Sequence, residues 1–195
     1  MKRVSLDEPP KLAPPGAGLP KSELVVARLI FRWERWRTSR ERAAANFSDQ
    51  RNAILKLARG CEPASATRRV LIRRLPGLED SSRNWSVCMT LDHLRIVNDA
   101  VAGSIHALVA GHVPLQAAST AAVKPSPDVG ITAIPAFEES SLKFEKGVAA
   151  TPDLATRVKY AHPWFGPLDA AGWHFMAGFH MRLHRRQIEL ILAGR

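Results

Sequence analysis

The sequence predicts an all-α fold, an antiparallel bundle of long helices, on three observations. Apolar residues recur at helical spacing through four long stretches. Glycines stand where such stretches should stop, at Gly60, Gly111 and Gly194. The one β-like run, Val129 to Ile134, is too short and isolated to build a sheet.

Element by element, Ser22 is placed to cap a first helix through Leu24, Val25, Leu29, Ile30, Trp33 and Trp36. Ser48 is placed to cap a continuation from Asp49 to Arg59, stopped by Gly60. Pro63 to Arg74 reads as a short helix closed by Pro76-Gly77. A long helix is expected from Ser86 to Ala110. An irregular connection follows from Pro114 to Pro135, holding Lys124-Pro125-Ser126-Pro127. The next helix is expected over Ala136 to Ala149. Pro152 to Pro167, with His162-Pro163-Trp164-Phe165-Gly166, reads as a structured turn or loop. A final helix opens near Asp169 and runs to Ala193. No internal repeat is visible.

Residues 1–20 carry Pro9, Pro10, Pro14, Pro15 and Pro20 and read as a flexible, Pro-rich leader outside the fold. Residues 21–195 are then one domain, a length that suits a single core. The leader has no apolar centre, so no secretion signal is expected. No apolar run approaches the roughly 20 residues needed to cross a bilayer, and no membrane partner is expected. Cys61 and Cys88 form no CxxC, which argues against a thiolate metal site and for a reducing, cytoplasmic setting.

The formal net charge of +10 raises nucleic acid as a partner. The cations are spread over Arg28–Arg42, Arg68–Arg74 and Arg182–Arg186 and are punctuated by Glu34, Glu41, Asp80 and Glu189. A solvated basic surface is therefore the expected reading.

The chemistry is carried by histidines. At about 100° per residue, His184 lies about 40° from His180 on the last helix, and Gln187 about 20° from it. Trp173, Met176, Leu183, Ile188 and Ile191 share that side, which this helix should bury. On the long helix, Met89, Ile96, Val97, Ala100, Val101 and Ala107 surround His93. Arg95, Asn98, Asp99 and His106 take its far side. Three imidazoles in one core need partners for their ring nitrogens. A divalent metal satisfies them directly, and facing helices of a bundle commonly build such sites. The alternative is a plain bundle with hydrogen-bonded core histidines. His174, about 120° from the ligand direction, is assigned to the surface or a boundary, and Cys88, about 140° from His93, is not a ligand. His162 is placed near a pocket mouth. Trp33, Trp36, Trp164 and Trp173 read as core or interface packing.

Trp85-Ser86, Thr90-Leu91-Asp92-His93-Leu94 and the distant His180-x-x-x-His184 together resemble the DinB/YfiT-like superfamily. The segment His162-Pro163-Trp164-Phe165-Gly166-Pro167-Leu168 is similar to one branch of it. The resemblance spans about Leu24 to Ala193. It implies an up-down-down-up four-helix bundle with a long crossover and short extra helices, often a homodimer. It also implies a metal on His93, His180 and His184, with His162, Trp173 and Gln187 around the pocket. Three neutral imidazoles suit zinc, nickel, copper and iron. The family favours zinc or nickel, with iron or manganese as alternatives.

Relatives in that family include thiol-dependent transferases, so the resemblance implies transfer of a low-molecular-weight thiol (bacillithiol, mycothiol or glutathione) onto a small-molecule electrophile. Two other expectations use the same residues. One is a metal-dependent hydrolase, whose general base would have to come from Asp92, Glu138 or Glu139, each more readily read as a surface charge. The other is a non-enzymatic metal- or small-molecule-binding module of a stress response.

Overall fold

In the computed structural model, which describes residues 10–194, Lys21 to Arg37 form the first helix, α1. Ser22 lies inside it. Its first turn starts from Pro20, whose carbonyl accepts from the Leu24 amide at 2.9 Å. The break before the next helix falls at Thr38–Ser39 and not at Ser48. Ser39 Oγ accepts from the Arg42 amide at 3.3 Å, and nothing after it interrupts α2, Arg40–Arg59. Ser48 therefore sits mid-helix.

The next helix, α3, covers only Pro63–Thr67. The chain beyond it, expected to stay helical to Arg74, instead forms a short strand β1, Val70–Leu71, antiparallel to β2, Asn84–Trp85. The β-branched Val70 suits this pairing, and Ile72 extends it by donating to the Arg83 carbonyl at 3.0 Å. Ser86 Oγ then accepts from the Met89 amide and opens α4, Val87–Val109. After the irregular residues 110–132, α5 runs Ala133–Ala150. It begins three residues before the expected Ala136 because Pro135 falls in its first turn, where no intrahelical donor is required.

The segment before the last helix is a hairpin of β3, Tyr160–His162, and β4, Gly166–Leu168. Gly166 has a φ of 74°, a backbone conformation that glycine alone adopts without strain, and this lets the chain reverse. Asp169 caps α6, Ala170–Ala193, by accepting from the Gly172 amide at 2.7 Å.

Helix α4 packs against α5 and α6, and α2 packs against the same two. The four make a ring, and the long connection joins α4 to α5. The centre holds Phe47, Ile54, Leu91, Leu94, Phe137, Met181 and Ile188, all fully buried. Each such side chain contributes about 1.5–3 kcal/mol through burial. At the α2–α6 crossing, a Cβ on Gly178 would lie 2.6 Å from Asn46 Nδ2, so glycine permits the close approach.

Two sequence expectations fail for one reason. Asn98 and His174, assigned to outer faces, are 1% and 2% exposed. A bundle helix has two neighbours, so α4 and α6 bury more of their circumference than one apolar stripe suggests. Conversely, Trp33 and Trp36 are not core, being 59% and 81% exposed.

Residues 1–9 of the leader lie outside the described residues. Residues 10–20 were expected outside the fold but run along it. The Ala13 amide donates to Asp80 at 2.8 Å, and the Gly16 amide to Glu79 at 3.4 Å. These carboxylates satisfy backbone donors that would otherwise need water. Among the described residues, no helix is long and apolar enough to cross a membrane.

Candidate metal centre

His93 projects from the second turn of α4, and His180 and His184 from successive turns of α6. Because those two helices pack side by side, the three rings meet. His93 and His184 are buried and His180 is partly exposed. Their ring nitrogens converge: His93 Nε2 lies 3.2 Å from His180 Nε2, and His184 Nε2 lies 3.0 Å from the same atom.

The opposite nitrogens settle the tautomers. His93 Nδ1 is 2.6 Å from the Val123 carbonyl, which can only accept, so Nδ1 carries the proton. Gln187 Nε2 donates to the Ser82 carbonyl at 2.7 Å, which turns Gln187 Oε1 toward His184 Nδ1 at 2.6 Å. His184 Nδ1 therefore donates as well. In the neutral rings both Nε2 atoms are lone pairs aimed at His180 Nε2, whose single possible proton cannot serve two acceptors well. Burial depresses all three pKa values, His93 to about 4 and the other two well below the usual histidine range, with mutual repulsion adding to the effect for His180 and His184.

The arrangement is compatible with a metal. Tetrahedral coordination by imidazole, at about 2.0–2.1 Å per bond, sets ligand nitrogens about 3.3 Å apart, close to the two separations here. Metal-binding imidazoles also usually donate their other ring N–H to an oxygen, as His93 and His184 do to Val123 and Gln187.

The nitrogens face a cavity of about 650 Å³. Val26, Ala27 and Ile30 of α1 form one side, and Val97, Val101, Met176 and Phe179 another. His162 and Trp173 both line it, as do Trp164 and Phe165 of the hairpin. His162 Nδ1 accepts from the Trp164 amide at 3.1 Å and so shapes the hairpin turn. Burial pushes its pKa down to about 4. Trp173 Nε1 donates to the Tyr160 carbonyl at 3.2 Å. Gln187 does not reach the cavity and acts on it through His184.

Several residues have roles at the site that the sequence did not assign to them. Trp85 lies against the rings of His93 and His184, with centroids 5.1 and 6.3 Å away. Lys124 Nζ sits 5.4 Å over the Trp85 ring and pairs with Glu79 at 2.8 Å. Burial raises the Glu79 pKa, but the Lys124 and Thr120 hydrogen bonds outweigh it and hold the carboxyl below its ordinary value. Val123 contributes only its carbonyl, which no side-chain pattern could reveal.

The three carboxylates weighed as general bases stay out of the cavity. Glu138 pairs with Arg59 at 2.5 Å. Asp92, expected at the surface, is 7% exposed, pairs with Arg95 and accepts from the Ser126 amide at 3.0 Å. It helps to dock the long connection.

No protein-family model matches the chain, and no curated protein matches it. Among solved structures, the chain is similar to one described as "Crystal structure of TT2238, a four-helix bundle protein". The likeness has a TM-score of 0.56 and 20% identity, and it covers 76% of this chain and 97% of that one. At that identity it supports the bundle fold and nothing about chemistry.

Proposed function

We propose that His93, His180 and His184 hold one divalent metal ion, zinc or nickel first, and that the protein transfers a low-molecular-weight thiol to a small-molecule electrophile. One observation carries the reading: Val123 and Gln187 fix the protons of His93 and His184 on Nδ1, leaving lone pairs that converge beside an apolar cavity. Three protein ligands leave coordination positions free for a ligand from the cavity. The chemistry supplied by a bound ion is Lewis acidity, which lowers a thiol's pKa and polarises a carbonyl.

The chain's own residues do the rest. Trp85, itself buried, covers the rings of His93 and His184. The apolar walls accept the body of an electrophile. Of the cations lining the cavity, Lys124 and Arg182 are paired with Glu79 and Glu34, while Arg186 has no acidic partner among the described residues. Arg186 is therefore the group available to a thiol's carboxylate. Thiol transfer is favoured over hydrolysis because Asp92 and Glu138 are engaged elsewhere and Glu139 is exposed to solvent outside the cavity. The two free cysteines agree with a reducing, cytoplasmic setting in which such a thiol would be present. The bundle and triad together also favour a place in the DinB/YfiT-like superfamily.

The test is conjugation of a panel of thiols to an electrophile by metal-loaded and by chelated protein. Metal-dependent conjugation that falls in His93→Ala supports the reading. Equal rates with and without metal overturn the catalytic part, and absence of bound metal in the purified protein overturns the whole.

A further inference from the structure

Helix α1 buries a single residue, Phe31, yet it is apolar on its other side too. Val25, Val26, Leu29, Ile30, Trp33 and Trp36 are 46–81% exposed. At about 100° per residue they form one outward band about 140° wide. Lys21, Arg28, Arg32 and Arg37 lie within or beside that band, and all four are exposed. The only acids of α1, Glu23 and Glu34, turn inward to Arg74 and Arg182. The face is therefore apolar, aromatic and purely cationic, on a chain of net charge +10.

We propose that this face docks on an anionic lipid surface. Helices that lie in a membrane interface combine an apolar face bearing tryptophan with flanking lysine and arginine. Anionic headgroups complement the four cations, and the headgroup–acyl boundary accepts Val, Leu, Ile and Trp together. A second copy of this chain complements the face less well, because it brings the same cations and no α1 acid to meet them. A nucleic acid complements the charge and leaves the aliphatic side chains without partners. Surface docking needs no spanning helix, so the lack of one among the described residues does not oppose it. Val26 and Ile30, at one edge of the band, also line the cavity, so docking would bring that cavity close to the membrane.

The 195-residue chain is floated with phosphatidylcholine vesicles and with vesicles that also contain phosphatidylserine. The expected result is binding to the second only, with blue-shifted tryptophan emission and loss of binding in high salt. The Trp33→Ser/Trp36→Ser variant should lose binding. Arg32→Glu, a change of two charges, should weaken it about thirtyfold. Both alter exposed side chains and should retain the helical circular dichroism and metal content of the parent, which keeps this test separate from that of the metal site. Failure to float with phosphatidylserine vesicles overturns the proposal, as does equal binding by parent and variants. So does a dimer in sedimentation that the Trp33→Ser/Trp36→Ser change dissolves, or tighter binding to an oligonucleotide than to the vesicles.

Discussion

Gln187 ties His184 to the chain preceding α4: its Oε1 accepts from His184 Nδ1 at 2.6 Å while its Nε2 donates to the Ser82 carbonyl at 2.7 Å. It is fully buried, so both bonds are made away from water. One side chain thereby sets a tautomer, a ring orientation and the position of a backbone turn.

Replacing Gln187 with Leu should cost about 1–3 kcal/mol of stability, because a buried carbonyl and an imidazole N–H lose their partners. Metal affinity should fall about ten- to a hundredfold, since ligand orientation is no longer held. Competition with a chelator and urea unfolding, run on the same preparations, measure the two effects separately.

Substitution of the histidines should divide them sharply. His93→Ala, His180→Ala and His184→Ala should each abolish near-stoichiometric metal in elemental analysis. His174→Ala should retain it, although the buried ring packs near Phe144 and its loss should cost about 2 kcal/mol. Loss of metal in His174→Ala alone would contradict the placement of the site.

Acid should destabilise the chelated protein. Burial holds His93, His162 and His174 at about 4 in the folded chain, below the ordinary value of 6.5. Between those values the unfolded chain takes up protons that the folded chain refuses, so stability falls as pH falls. The contribution is fully present above about pH 6.5 and is lost progressively toward pH 4, at up to about 1.4 kcal/mol per pH unit for each histidine. Urea unfolding of metal-free protein across this window should show the slope, and His162→Gln should reduce it.

Phe31 is the only buried residue of α1, with its ring 4.1 Å from that of Phe165 and within 5.5 Å of Phe175 and Phe179. Phe31→Ala should remove about 3–5 kcal/mol of packing. The loss should fall mainly on α1, because no other side chain of that helix is buried. Hydrogen exchange should quicken across residues 21–37 and change little in α4 and α6. Uniform quickening throughout the bundle would show instead that α1 and the bundle unfold as one unit.

The sequence carried the helices, their number and most of their ends, because a 3.6-residue period and caps such as Ser86 and Asp169 are local properties of the chain. It also carried His93, His180 and His184 as inward-facing residues, since each stands in the middle of an apolar stripe. Tertiary structure decided how much of each helix is buried. Asn98 and His174 have polar side chains on faces that look solvent-directed, and only a second packing partner encloses them. It also decided the hairpin at His162, the start of α2 at Ser39 and the strand at Val70. Finally, the groups that prepare the triad come from distant segments: the Val123 carbonyl and the Ser82 carbonyl bound by Gln187 are backbone atoms, present at every position and distinguished only by where the fold puts them.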